Sequence, residues 1–332
     1  MFRYLLLTTC SLLFCRWIYA QDSTYAMRLG FPDGARVLIL HMDDAGMSFD
    51  SDSGIIRVFE QGVARSTSVM MPCPWVPHMV RYIVEHHVDA GLHLTLTSEW
   101  KDYRWGPVAG AAAVPGLTDS TGNLWPDVAD VVRHASAEEV SREIEAQLQK
   151  AERMGFHPTH LDSHMGTLFA TPAFLQAYIH LGIRHHIPVM FPGGHDSYLR
   201  QQMHMDDAQL QQLQAMGRLL WQAGLPVLDD LHNTSYDWQI PPDMPRDDDH
   251  LRQWRVALYE KTLRELKPGL TMVIMHCTST SCNFSHISDS GDIRRADMLA
   301  MLDPGFRSFL QQHGFIITTW REVMQRRQAI AH

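Results

Sequence analysis

Val37-Leu38-Ile39-Leu40, followed at once by His41-Met42-Asp43-Asp44-Ala45-Gly46, reads as a buried strand that ends in two adjacent carboxylates. A short Val/Ile/Leu run between polar residues suits a strand covered on both faces, the kind found in parallel sheets. In α/β proteins the C-terminal ends of such strands are where sites are built. Two carboxylates there would repel each other and lose solvation, so a bound cation or a raised pKa on one of them is the expected remedy. Taken alone, the same residues also fit an Asx turn or the N-cap of a helix starting near Ser48.

Two further segments favour a site. Gly91-Leu92-His93-Leu94-Thr95-Leu96 puts a histidine in an apolar, strand-like setting, and Thr159-His160-Leu161-Asp162-Ser163-His164 carries three ionisable residues at alternate positions. In an extended chain these would share one face. A single histidine of this kind is more often packed than metal-bound; three clusters at the ends of strand-like runs are harder to assign to packing.

The Asp-Asp pair followed by Gly, the Gly-Leu-His-Leu-Thr segment and the His-Leu-Asp-Ser-His segment, in this order and at these separations, resemble the YdjC-type carbohydrate deacetylases. These are relatives of the chitooligosaccharide deacetylases. The resemblance runs from about Arg36 to Met324, where Val273-Ile274-Met275-His276 resembles the family's strand ending in histidine. It implies an α/β fold of the distorted TIM-like (β/α) barrel type. It also implies hydrolysis of N-acetyl groups on amino sugars or oligosaccharides, and one divalent metal held by Asp44, His93 and His164. Asp43 would then be the general base and His276 the general acid. His160 and Asp162 are expected to orient His164 or His276 through ring N–H bonds, with His41 joining them. The chain departs from the family pattern in carrying His41 where Asn is common and Ala45 where Phe is common. The stretch after Ile187 also lacks an expected arginine.

The metal's identity is open. One carboxylate with two imidazoles suits zinc, and a site completed by waters suits magnesium, manganese or iron. Two other readings stay open: a metal-dependent phosphodiesterase or other amidase on the same barrel, and a non-enzymatic secreted sugar-binding protein. A glycosidase is disfavoured, because its two carboxylates must flank a bond at a separation that neighbouring residues meet poorly.

With 332 residues, 45% hydrophobic and 20% charged, the chain can bury one large core, and a single domain over residues 21–332 is the simplest division. Residues 1–20 stand apart, with Arg3 ahead of an apolar run and Ile18-Tyr19-Ala20 at a cleavage-like end. They are expected to be a signal peptide, which would make the protein secreted or periplasmic, without stable membrane insertion. A net charge of −9 with no Lys/Arg cluster argues against nucleic acid as a partner. The expected partner is an N-acetylated carbohydrate; oligomeric state is not legible.

The coarse pattern alternates strand and helix. Strands are expected at Ser66 to Met71, Ala90 to Leu96, Val189 to Phe191, Leu225 to Leu228 and Leu270 to Met275. Ser136-Ala137-Glu138-Glu139 is a capping box, and Thr171-Pro172 a second helix start. The aperiodic segment from Glu99 to Asp127 bears tryptophans. Of these, Trp100 and Trp105 are candidates for stacking on sugar rings, against the alternative that they pack the segment down. Cys277 and Cys282 are close enough for a small disulfide loop after His276.

Overall fold

The computed structural model describes residues 23–330; the expected signal peptide lies outside them. Seven strands form one parallel sheet: β1 (Arg36–Ala45), β2 (Ser66–Val69), β3 (Asp89–Leu94), β4 (Leu161–Ser163), β5 (Asp230–His232), β6 (Gly269–Met275) and β7 (Phe315–Ile317). Their order is β4-β3-β2-β1-β6-β5, with β7 also on β1. β1 is the axis of the sheet: its first three residues pair with β7 and its last with β2, while β6 runs along the other side. Helices connect successive strands, as parallel pairing requires.

The expected barrel is met in part. Between β4 and β5 the expected strands at 189–191 and 225–228 are reduced to isolated bridges, Leu161 with Val189 and Pro192 with Leu228. The regular strand forms at Asp230–His232 instead. Pro188 and Pro192 bracket this crossing, and proline cannot donate to a ladder, so the sheet is a curved half-barrel joined loosely at this edge. Among the described residues no helix is long and apolar enough to cross a membrane.

Alternation along β1 sets the site. Leu38, Leu40 and Met42 pack under the helices, whereas Val37 and Ile39 enter a second core with Leu270, Met272, Ile274 and Trp320. His41 and Asp43 continue the second face, as His93 does on β3 and Asp162 on β4. The inner face thus changes from apolar to ionisable toward the strand ends. Close packing there needs Gly91, since a Cβ would lie 2.5 Å from the His160 ring.

Local signals are met where side chains act on nearby backbone. Ser48 caps the helix Phe49–Gln61, Ser136 and Glu139 form the capping box of Ala137–Arg153, and Thr171 caps Pro172–His185. The expected disulfide is not formed: Cys277 is a buried free thiol and Cys282 an exposed one. The loop between them is shaped by Asp50 instead. Its carboxylate accepts from Ser281 N at 2.7 Å and Ser281 Oγ at 2.8 Å, tying the loop to the first turn of the helix Phe49–Gln61.

Candidate metal centre

Residues next to each other in a strand point to opposite faces, yet Asp43 and Asp44 enter the same cavity. The pairing of β1 with β2 slips between Met42 and Ala45, and Asp44 has φ +64°. This bulge in left-handed backbone, which Asp tolerates better than most residues, turns the second carboxylate inward.

Three of the expected residues converge there. Asp44 Oδ1 lies 3.4 Å from His93 Nε2 and 3.4 Å from His164 Nδ1, and all three side chains are buried. The outer atoms of both imidazoles are occupied. His93 Nδ1 is 2.7 Å from Asp162 Oδ1, and His164 Nε2 is 3.1 Å from either oxygen of Glu99. A ring proton held on the outer nitrogen leaves the inner lone pair free, the arrangement a metal-binding histidine needs. Asp44 Oδ1 and His93 Nε2 have no hydrogen-bond partner. Buried polar atoms are rarely left so, and orphaned acceptors within ligand reach of one another fit a divalent cation.

Electrostatics agree. Burial opposes ionisation of Asp44, but the Arg294 guanidinium, 2.6 Å from its Oδ2, and the neighbouring His164 hold its carboxyl well below the usual carboxylate range. Burial would lower His164, but Glu99 and Asp44 push it up to about 10. His93 is likewise raised, by Asp43 and Asp162, against the pull of burial.

Asp43 stands beside this group, its Oδ2 3.8 Å from His93 Nε2. Its other oxygen is 3.1 Å from His41 Nε2, which also lies 3.0 Å from Asp162 Oδ2; burial disfavours charge on His41, but these two carboxylates push it up to about 9. His41 is fixed from behind, with Nδ1 2.9 Å from Ser66 Oγ. His276 reaches the cavity from β6, with Nε2 3.7 Å from Asp44 Oδ2. Burial, with Arg294 nearby, holds its pKa well below the usual histidine value. Its backbone N–H donates to Asp297, and Tyr236 hydroxyl contacts its Nε2.

Several expectations need correction. Asp162 orients His93, because β4 lies beside β3 and brings it to that ring, and its other oxygen lies 3.0 Å from His41 Nε2; it does not orient His164 or His276. His160 stacks on Trp320 and lies 3.6 Å from Asp162 behind the cavity. Trp105 is 5% exposed, its indole N–H donating to Thr97 O at 3.0 Å, so it packs its segment down and offers no face to a ligand. Trp100 is partly buried, with Arg294 5.8 Å above its ring. Glu99 and Arg294 had no local signal: Glu99 opens an aperiodic segment, and Arg294 lies in the helix Gly291–Leu302, 250 positions from Asp44. An arginine does reach the site, then, but from this helix and not from the stretch after Ile187.

The chain matches the model of a family described as YdjC-like protein over residues 37–312. It is 29% identical to a carbohydrate deacetylase of Thermus thermophilus over 90% of this chain and 97% of that protein. With a carbohydrate deacetylase of Brevibacillus brevis it shares 33% identity, across 47% of this chain and 59% of that one. A solved structure from Enterococcus faecalis V583, described provisionally as a cellobiose-phosphate cleavage protein, superposes with a TM-score of 0.69 at 17% identity. That superposition covers 87% of this chain and 99% of that one, a likeness of fold.

Proposed function

The chain belongs to the YdjC-like protein family, and from that membership we propose that it is a metal-dependent carbohydrate deacetylase, cleaving the amide of N-acetylated amino sugars to release acetate. The observation that carries this reading is the juxtaposition of Asp43 with the cluster Asp44, His93 and His164, whose inward atoms Asp44 Oδ1 and His93 Nε2 lack partners. Two relatives named carbohydrate deacetylase support the substrate class.

A divalent cation bound by Asp44, His93 and His164 would supply an acidified water and a counter-charge for the amide oxygen. The remaining work falls to side chains of this chain. Asp43, not needed as a ligand, accepts the proton of the attacking water, with His41 Nε2 3.1 Å from its other oxygen. Arg294 pins Asp44 Oδ2, leaving Oδ1 for the cation. The proton that Asp43 takes from the water is the one the departing nitrogen needs, and His276, kept neutral before reaction and so able to accept it, relays it to that nitrogen, which cannot leave as an anion at neutral pH.

Acetate release from a panel of N-acetylated saccharides, with and without a chelator, tests the reading. Release that stops on chelation and returns with added metal is expected. Metal-replete protein that releases no acetate from any member would overturn it.

A further inference from the structure

At the opposite end of the sheet from Asp43 and Asp44, where β5 and β6 begin, Asp196, Asp229 and Asp230 are buried together. Backbone donors are shared unevenly among them. Asp229 accepts from Tyr25 N at 2.7 Å, Ala26 N at 2.9 Å and Leu270 N at 2.8 Å. Asp230 accepts from Tyr198 N at 2.8 Å, Leu199 N at 3.1 Å and Leu231 N at 2.9 Å. Neither oxygen of Asp196 is hydrogen-bonded to any described residue. A buried carboxylate without donors is costly as an anion, and two carboxylates beside it add to the cost. The three do not converge on one point as metal ligands would, so a shared cation is not the remedy.

The backbone keeps the cluster together. Asp196, in left-handed backbone at φ +45°, donates its N–H to Asp229 O at 2.9 Å. Gly194 packs directly on the next chain, since a Cβ there would lie 2.5 Å from Asp229 Cα. The surrounding ionisable groups supply no counter-charge to Asp196. His195 Nδ1 accepts from Ser197 N at 3.1 Å and its Nε2 donates to Pro268 O at 3.0 Å, a pattern that only the neutral ring satisfies. Burial raises the pKa of the Tyr25 and Tyr198 hydroxyls, which are therefore neutral as well. Arg200 turns to Asp207. Arg28 and Arg218 line a cleft of about 290 Å³ that reaches Asp229 but not Asp196. Burial, then Asp230 and Asp229, accordingly push the Asp196 carboxyl up to about 8.

We propose that Asp196, Asp229 and Asp230 form a proton-operated latch on the helix Tyr25–Arg28: a proton on Asp196 lets Asp229 keep its grip on Tyr25 and Ala26, and opening of the latch releases that proton. Asp229 is the member that yields. Its donors Tyr25 and Ala26 belong to a four-residue helix at the edge of the described chain, whereas the donors of Asp230 belong to its own strand and to the helix Ser197–Met203. Local opening is cheapest in short terminal segments. The sign follows from linkage. A carboxyl raised in the closed form stabilises closure fully below its ordinary value of 3.8, and this contribution is lost as pH rises toward about 8. The latch is thus tight in acid and loosens through neutrality, independently of the metal centre at the other end of the strands.

Amide hydrogen exchange of the metal-loaded protein tests this, read as protection factors so that the intrinsic pH dependence cancels. In the parent, protection at Tyr25 and Ala26 should fall about tenfold per pH unit from roughly pH 5 to pH 7.5 and level off beyond about 8. It should stay below that of Leu38 in β1 throughout, marking a local opening. Asp196→Asn keeps the shape of the protonated acid with no proton to lose, and its protection at both residues should be level across the same range. The same slope in Asp196→Asn, or protection at Tyr25 equal to that at Leu38 at every pH, would overturn the latch. Carbon-13 NMR of zinc-loaded parent protein labelled at its aspartate carboxyls needs no variant. One aspartate titrating near 8 is expected; none titrating above about 7 would overturn the proposal.

Discussion

Asp43 and Asp44 both reach His93 Nε2, at 3.8 and 3.4 Å, although neighbours in a strand should part to opposite faces. The left-handed backbone at Asp44 allows it, and that separates two effects a substitution could have. Asparagine keeps this conformation but is a poor metal ligand.

Asp44→Asn should therefore keep the backbone turn, lose its metal and lower Tm, because the buried Arg294 loses its charged partner, whereas Glu99→Gln, which touches only the outer nitrogen of His164, should cost about 10- to 100-fold in metal affinity. Metal content and circular dichroism of the purified variants check both. Stoichiometric metal in Asp44→Asn would remove Asp44 from the ligands.

Asp43→Asn separates chemistry from binding. The amide is nearly isosteric and preserves contact with His41, but cannot accept the water's proton. Metal and oligosaccharide should bind as before, and acetate release should fall by about 10²- to 10⁴-fold. A parent-like rate per bound metal would show that Asp43 is not the base.

The site residues on strand ends were legible because each sat beside an apolar run whose period fixed its face: Asp43, His93 and His276 are where alternation puts them. Asp44 was assigned by resemblance, and alternation alone would have sent it outward. Glu99, Arg294 and Tyr236 arrive from an irregular segment, a helix and a short turn, where no period relates position to direction. Trp105 misled for the same reason. An aromatic residue in an aperiodic segment can anchor the segment or face solvent, and only the partner of its N–H, here Thr97 O, distinguishes the two.

Stability around His276 depends on a buried pair supplied by two helices, Arg255 from Asp248–Glu265 and Asp297 from Gly291–Leu302. Asp297 accepts from Arg255 Nε at 2.7 Å, Tyr259 hydroxyl at 2.5 Å and the His276 N–H at 3.0 Å. Asp297→Ala would leave the Arg255 charge buried and unpaired, a loss of about 3–5 kcal/mol. A fall in Tm of several degrees is expected; an unchanged Tm would mean that water replaces the carboxylate.

The chain's first described helix is clamped by Asp229, which accepts from Tyr25 N at 2.7 Å and Ala26 N at 2.9 Å. We propose that the segment ending at Ala20 is a signal peptide; its removal would leave this clamp untouched, and a protein so exported should begin at Gln21. N-terminal sequencing of exported material checks the cleavage point. Retention of Met1 would defeat the export reading, and a start beyond Ala26 would show that the clamp is dispensable.

Metal binding and protons should compete, with a defined sign. Without metal, His164 titrates at about 10 because Glu99 and Asp44 favour its charged form over the penalty of burial, and His93 is raised as well. His164 is therefore protonated at pH 7, and a cation that takes its Nδ1 lone pair must expel that proton. Adding zinc or manganese to metal-free protein in weak buffer should release at least one proton per metal bound, and apparent affinity should rise with pH toward 10. Linkage gives a second readout. A histidine raised on folding stabilises the metal-free protein fully below its unfolded pKa, near 6.5, and that contribution is lost as pH rises through about 10. Metal-loaded protein carries no such proton and should lack this part of the pH dependence of Tm. Glu99→Gln, by removing the main cause of the raised value, should release fewer protons on binding. Metal uptake at pH 7 without proton release would mean that His164 is neutral in the free site, and the ion-pair account of the cluster would fail.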